Sequence, residues 1–233
     1  MTNHRFVNAA VVLLHGKGMR PAALEPFIDS LALPAAVSVP QGPLAHADGS
    51  FSWWHEVPPD AGVCAQRGLS RDLFDCHPQG RDQAHQALAA AIDQVGHLHG
   101  ALPIWLVGFS QGGMLALDYL LARRDPRVAG LALLSCCCIA LDEWQAGLPC
   151  LQGMPVLVSH GRSDPELAFG AGLRLRDTLL QAGARVEWQA FDGDHEIALV
   201  VWKTLSRWLQ SVAKLPKWEV NSGTFSPNRP AQI

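Results

Sequence analysis

Between an apolar run at 104–107 and a stretch of helical period at 112–123 stands Gly108-Phe109-Ser110-Gln111-Gly112-Gly113. No other part of the chain constrains the fold so tightly. A strand that runs straight into an amphipathic helix leaves no room for a loop, so the backbone must turn sharply at the serine. Flanking glycines let the two elements approach, while the serine is held strained with its hydroxyl above the sheet, among the free N–H groups of the helix start. With 21 glycines in the chain the bare G-x-S-x-G pattern is modest evidence, and its place between strand and helix gives it weight. The alternative is a glycine-rich turn whose serine only caps the helix.

The remainder supplies a setting for such a turn. Short apolar or β-branched runs at 10–14, 36–39, 104–107, 130–134, 156–159 and 185–190 each lead into Gly, Pro, Ser or Asp and are predicted as strands. Helical periods are expected at 82–96, 112–123, 168–181 and 195–212. Strand and helix alternate from 104 onward, which implies an α/β fold: a mostly parallel central sheet flanked by helices, with chemistry in the turns that follow strands. The segment 41–80 breaks the rhythm with four prolines and the pair Trp53-Trp54, and is expected to be a long functional loop with short helical turns beside the substrate pocket. The two tryptophans either wall an acyl-binding groove or fill the core. Residues 1–213 read as one domain. The tail 214–233 has no amphipathic period and is expected to be loose or pinned by Trp218.

Composition narrows the class. At 233 residues, with 48% hydrophobic and 17% charged residues, the chain suits one compact enzyme-sized core. Eighteen basic against 21 acidic side chains, with no Lys/Arg run, exclude a phosphate-tracking surface, so no nucleic-acid partner is expected. The first apolar run is too short for a bilayer span and lacks the features of a signal peptide, so a cytoplasmic protein without stable membrane insertion is expected. Six cysteines are expected to be free thiols, because the core needs no staples. Cys136, Cys137 and Cys138 resemble a soft metal site, but neighbours on an extended strand point to opposite faces, and no metal or cofactor is expected.

A serine hydroxyl needs a general base, and an imidazole base needs a carboxylate to fix its tautomer and stabilise its charged form. In this kind of fold both come from later strand ends, acid before base. The expected strand 156–159 leads into His160-Gly161-Arg162-Ser163-Asp164-Pro165, and 185–190 leads into Phe191-Asp192-Gly193-Asp194-His195-Glu196. Asp164 and His195 are therefore the candidates, with His195 expected at the start of the last helix. Asp192 and Asp194 compete for the acid role, but they share a turn with His195 and are expected to face solvent or cap the helix. His85, His97 and His99, on or beside an exposed helix, read as solvated. For the oxyanion of acyl transfer, the backbone N–H groups of Gln111 and of Lys17, in the loop His15-Gly16-Lys17-Gly18-Met19, are the candidate donors.

Together these residues resemble the carboxylesterase, phospholipase and acyl-protein thioesterase family of α/β-hydrolases, whose Gly-Phe-Ser-Gln-Gly-Gly elbow is present in full. The likeness extends through the His15-Gly16 loop, the Trp53-Trp54 region, the His160-Gly161 to Asp164-Pro165 turn and the His195 turn. It implies the α/β-hydrolase fold, a Ser110, His195 and Asp164 triad, Lys17 and Gln111 as oxyanion donors, and cofactor-free hydrolysis of a small or lipid-like acyl ester. Two departures stand out. The family's usual His-Gly-Leu-Gly-Asp has Lys17 and Met19 here, and the usual Ser-Gly-x-Leu-Pro is replaced by Ser135-Cys136-Cys137-Cys138. Short-to-medium ester cleavage leads; acyl-protein thioesterase or lysophospholipase activity, and a non-catalytic ligand-binding homologue, stay open, as does a homo-oligomer.

Overall fold

A computed structural model describes residues 8–28, 35–55 and 66–213. The chain forms β1 (Ala9–Leu14), β2 (Ala35–Ser38), β3 (Leu44–Ala45), β4 (Phe51–Ser52), β5 (Ile104–Phe109), β6 (Val128–Leu134), β7 (Pro155–Gly161) and β8 (Arg185–Phe191). Six of these make one sheet in the order β2-β1-β5-β6-β7-β8, with every neighbouring pair parallel. Four long helices accompany it: α1 (Arg81–His99), α2 (Gln111–Arg123), α3 (Phe169–Gln181) and α4 (Leu199–Val212).

The inner strands are apolar without a break because both faces of the sheet are covered. Along β1, Ala10, Val12 and Leu14 enter the core beneath α1, α2 and α3, while Val11 and Leu13 enter the core beneath α4. Helix α4 presents Val201, Trp202, Leu205, Trp208, Leu209 and Val212 at spacings of three and four, and Trp208 meets Trp105 of β5 edge-on at 5.6 Å. The result is a three-layer sandwich whose loops at the carboxyl ends of the strands share one edge.

The structure departs from the sequence reading in three places. The segment 41–80 contains an antiparallel hairpin, β3 with β4, turned at Asp48-Gly49: Asp48 Oδ1 accepts from the N–H and the hydroxyl of Ser50, and Gly49 takes φ 79°. An Asp-Gly pair is a hairpin signal, but the flanking strands are only two residues long and leave no alternating pattern around it. Residues 56–65 of that segment, and the tail with Trp218, lie outside the described residues. The last helix starts at Leu199, not at 195, because the bend before it is tied to the preceding turn by Ser163 N–H to the Gly193 carbonyl at 3.1 Å.

His85 is the third departure, for it is buried and not solvated. It faces Asp118 of α2, whose side chain is 1% exposed and accepts from Arg81 Nε and Nη2, His85 Nε2 and Trp144 Nε1 at 2.6–2.9 Å. Burial alone would push this carboxyl up, but the hydrogen bonds from His85, Arg81 and Trp144 outweigh it and hold it at about 2.

Asp118→Ala should therefore lower the unfolding free energy by about 3–5 kcal/mol, since it takes the partner from the buried His85 imidazole and Trp144 indole N–H and leaves the part-buried Arg81 guanidinium with Glu143 alone. Urea unfolding measures this, and a loss below about 1 kcal/mol would contradict it. A carboxyl held below its ordinary value near 3.9 stabilises fully above that pH and loses its contribution as the pH falls toward 2.

Candidate active site

The chain leaves β1 toward β2 and leaves β5 toward β6, so the carboxyl ends of these neighbouring strands frame a crevice where the winding reverses. Ser110 sits at that point, between β5 and α2, with φ 52° and ψ −119°. A left-handed serine is strained and persists only when its surroundings fix it. Its N–H donates to the Leu134 carbonyl at 2.8 Å, and its own carbonyl accepts from the N–H groups of Gly113 and Met114. The flanking glycines are sterically required: a Cβ on Gly108 would stand 2.3 Å from the Gly112 carbonyl oxygen, and one on Gly112 would stand 2.4 Å from that of Leu14.

Two further loops converge on the serine. Asp164, in the turn after β7, has a side chain with no solvent exposure. Its Oδ1 accepts from the N–H groups of Glu166 and Leu167, both at 2.9 Å, and its Oδ2 accepts from His195 Nδ1 at 2.7 Å. Burial would raise this carboxyl, but the His195 contact and the two N–H groups prevail and hold it below the usual carboxylate range. A carboxylate can only accept, so the imidazole proton lies on Nδ1, and Nε2 is left to accept from the Ser110 hydroxyl at 2.9 Å. Phe109 packs on the His195 ring at a centroid distance of 5.1 Å.

The loop after β1 forms the other wall. His15 is fully buried, and burial pushes its pKa down; its Nδ1–H donates to the Gly16 carbonyl at 2.7 Å while Nε2 accepts from Gly42 N–H at 3.0 Å. The hairpin supports this loop through Gly18 N–H to Ser52 Oγ and Phe51 N–H to the Met19 carbonyl. Beside Ser110 lies a cleft of about 30 Å³, with Trp54, Leu73, Met114 and Leu167 on its apolar side and Lys17, Arg71, Gln111 and Glu166 on its polar side. A hollow of about 400 Å³ at the opposite end of β5 and β6, lined by Gly96, Pro103, Ile104 and Arg127 among others, offers no nucleophile. Size alone does not mark the site.

Ser110, His195 and Asp164 are thus joined in one hydrogen-bonded line, and Lys17, Gln111 and Trp54 border the same cleft. Trp53 does not. It is fully buried, stacked on His15 at 5.0 Å, and donates from Nε1 to the His15 carbonyl. Asp192 is the exposed partner of Arg162, with 94% of its side chain accessible. Among the described residues no group of three or more His, Cys, Asp or Glu could hold a metal ion, and the described cysteines, Cys136 to Cys138 included, are free.

Several supporting contacts were not read from the sequence. The Gln111 amide clamps the tryptophan loop, accepting from Trp53 N–H at 2.8 Å and donating to the Trp54 carbonyl at 3.0 Å. The buried Ser135 hydroxyl donates to the Glu196 carbonyl at 3.1 Å and so ties the His195 loop to the end of β6. His160, the penultimate residue of β7, is wholly buried beside Asp164. A histidine and a serine at successive strand ends were the available signals, but long-range partners carry no local pattern.

The sequence model of a family described as phospholipase/carboxylesterase matches residues 78–213. A probable carboxylesterase of rice, Oryza sativa subsp. japonica, is 27% identical over 227 residues, which cover 91% of this chain and 80% of that protein. Among solved structures, SOBER1 of Arabidopsis thaliana is 24% identical with a TM-score of 0.66, covering 88% of this chain and 99% of that one. A carboxylesterase from Mesorhizobium loti is 20% identical with a TM-score of 0.68, covering 87% and 88%. At these identities the two structures show a shared fold.

Gly112→Ala should push the start of α2 away from β1, at the upper end of the roughly 1–3 kcal/mol that overpacking costs, and disturb the turn at Ser110. A thermal melt within 1–2 °C of the parent, roughly the scale of a few tenths of a kcal/mol, would show that the close approach is not needed.

Proposed function

The chain belongs to the phospholipase/carboxylesterase family of α/β-hydrolases, and on that premise we propose that it cleaves carboxylic esters of short to medium acyl chains through an acyl-enzyme on Ser110. The observation that carries this reading is the unbroken line from Asp164 through His195 to the Ser110 hydroxyl. Ser110 Oγ attacks the ester carbonyl carbon as its proton passes to His195 Nε2, and the buried Asp164 carboxylate stabilises the imidazolium so formed. The carbonyl oxygen, now an oxyanion, takes hydrogen bonds from the N–H groups of Gln111, at the start of α2, and of Lys17. Collapse breaks the bond to the alcohol, which leaves with the proton from His195. Water then attacks the acyl-enzyme with the same base, and the acid departs.

The narrow cleft beside Ser110 supports the shorter end of that range. A volume of about 30 Å³ is far below the roughly 300–1,000 Å³ of pockets that enclose drug-sized ligands. Trp54 is the lining residue of the tryptophan pair, and Trp53 is stacked on His15 in the core.

Residues 1–213 make one domain in this reading, with 41–80 bordering the substrate and 214–233 outside it. No helix among the described residues is long and apolar enough to cross a membrane. The free described cysteines suit a reducing compartment, and we assign the cytoplasm.

Fluorophosphonate should label the parent protein and leave Ser110→Ala unlabelled, whereas a protein that only binds ligands would ignore the reagent. His195→Ala should lower kcat/KM by roughly 10⁴- to 10⁶-fold. On nitrophenyl esters, kcat/KM should fall at least about tenfold from butyrate to palmitate, the size of effect a poorly fitting acyl chain produces; a rise would favour a lysophospholipid or acyl-protein thioester substrate.

A further inference from the structure

The acid turn is itself held by a group that the mechanism leaves unused. His160, near the end of β7, is completely buried, and its Nε2 donates to the Leu167 carbonyl at 3.0 Å. The same nitrogen lies 3.4 Å from Asp164 Oδ2. Leu167 is bound at both ends of its backbone: its N–H is on Asp164 Oδ1, and its carbonyl is on His160. The turn 164–167 is thus closed across its mouth by the imidazole.

The ring is fixed from its far side as well. It meets Phe169 edge-on at 6.2 Å, and it lies so flat on α3 that a Cβ at Gly172 would stand 2.5 Å from Nδ1. Donation from Nε2 requires a proton there, which in the neutral ring is the Nε2–H tautomer. Burial lowers the affinity of this ring for a second proton. A cation here would compete with His195 for the same carboxylate oxygen, so neutrality keeps Oδ2 free for its partner.

We propose that His160 is a positioning residue for the acid: its Nε2–H closes the turn at Leu167 and so keeps Asp164 Oδ2 aimed at His195 Nδ1. This rests on the proposed hydrolase reading for its effect on rate, although the contact itself does not. The titratable groups around the unit are Asp164 and Glu166 on the turn, His195 after β8 and the buried Cys136 thiol after β6; Glu166 Oε2 is 4.0 Å from His195 Nε2. From α3 the ring is faced by Phe169 and Gly172, which carry no charge.

Two polar variants separate positioning from bulk. His160→Gln keeps an N–H donor at the reach of Nε2, whereas His160→Asn brings it one bond short. The Asn variant should lose about 10- to 100-fold in kcat, the scale of a misplaced catalytic group, with KM within about twofold. Its acid limb of kcat/KM should move to lower pH, because a carboxylate turned away stabilises the His195 imidazolium less. Gln should restore both. Unchanged kcat in the Asn variant, or a loss with an unmoved acid limb that Gln does not repair, would overturn the proposal. A fold-independent check uses ring ¹⁵N shifts of the parent between about pH 5 and 8, the interval in which an ordinary histidine titrates: His160 should stay neutral with the proton on Nε2, and a proton on Nδ1 or a titrating ring would overturn the proposal. If the parent hydrolyses no ester at all, the hydrolase reading fails, and the ¹⁵N result still decides the contact.

Discussion

A carboxylate sealed from water keeps its charge only if donors occupy its oxygens, and the edge of this sheet is organised around that requirement at Asp164. Two backbone N–H groups and one imidazole N–H supply the donors, and they come from two loops. Those loops must therefore be held together to within hydrogen-bond tolerance. Arg162 N–H to the Phe191 carbonyl and Ser163 N–H to Gly193 join the turn after β7 to the one after β8. Ser135 adds the end of β6 through Glu196. Once His195 is so placed, only a sharp turn after β5 can bring a hydroxyl to its remaining nitrogen, and the strained Ser110 makes that turn.

Asp118 meets the same electrostatic demand elsewhere for a different end. It too is buried and saturated with donors, yet it binds α1 to α2 through Arg81 and His85 and has no line to the cleft. What separates the two carboxylates is the third group in each chain: at Asp118 the imidazole contact stops in the core, while at Asp164 it continues to a hydroxyl beside a cleft.

Much of this was legible in the residues because the constraints were local. Six apolar runs bounded by turn formers marked the strands of the sheet to within two residues at each end, and the glycines at 108, 112 and 113 marked the only kind of turn that fits between β5 and α2. What escaped was long-range. His85 lies on a helix whose mean composition looks solvated, and only the approach of Asp118 33 positions away explains its burial. The amide of Gln111 reaches back 58 positions to the tryptophan loop, which settles Trp53 into the core and leaves Trp54 at the cleft. The short hairpin at 44–52 carried its Asp-Gly signal, but two-residue strands give no periodicity to read.

The most direct test of the whole arrangement is a crystal structure of the protein after reaction with a small alkyl fluorophosphonate. The account predicts phosphorus bonded to Ser110 Oγ, a phosphoryl oxygen about 2.7–3.1 Å from the N–H groups of Gln111 and Lys17, and His195 still paired with Asp164. Phosphorus on another side chain, or a phosphoryl oxygen turned away from both N–H groups, would contradict it.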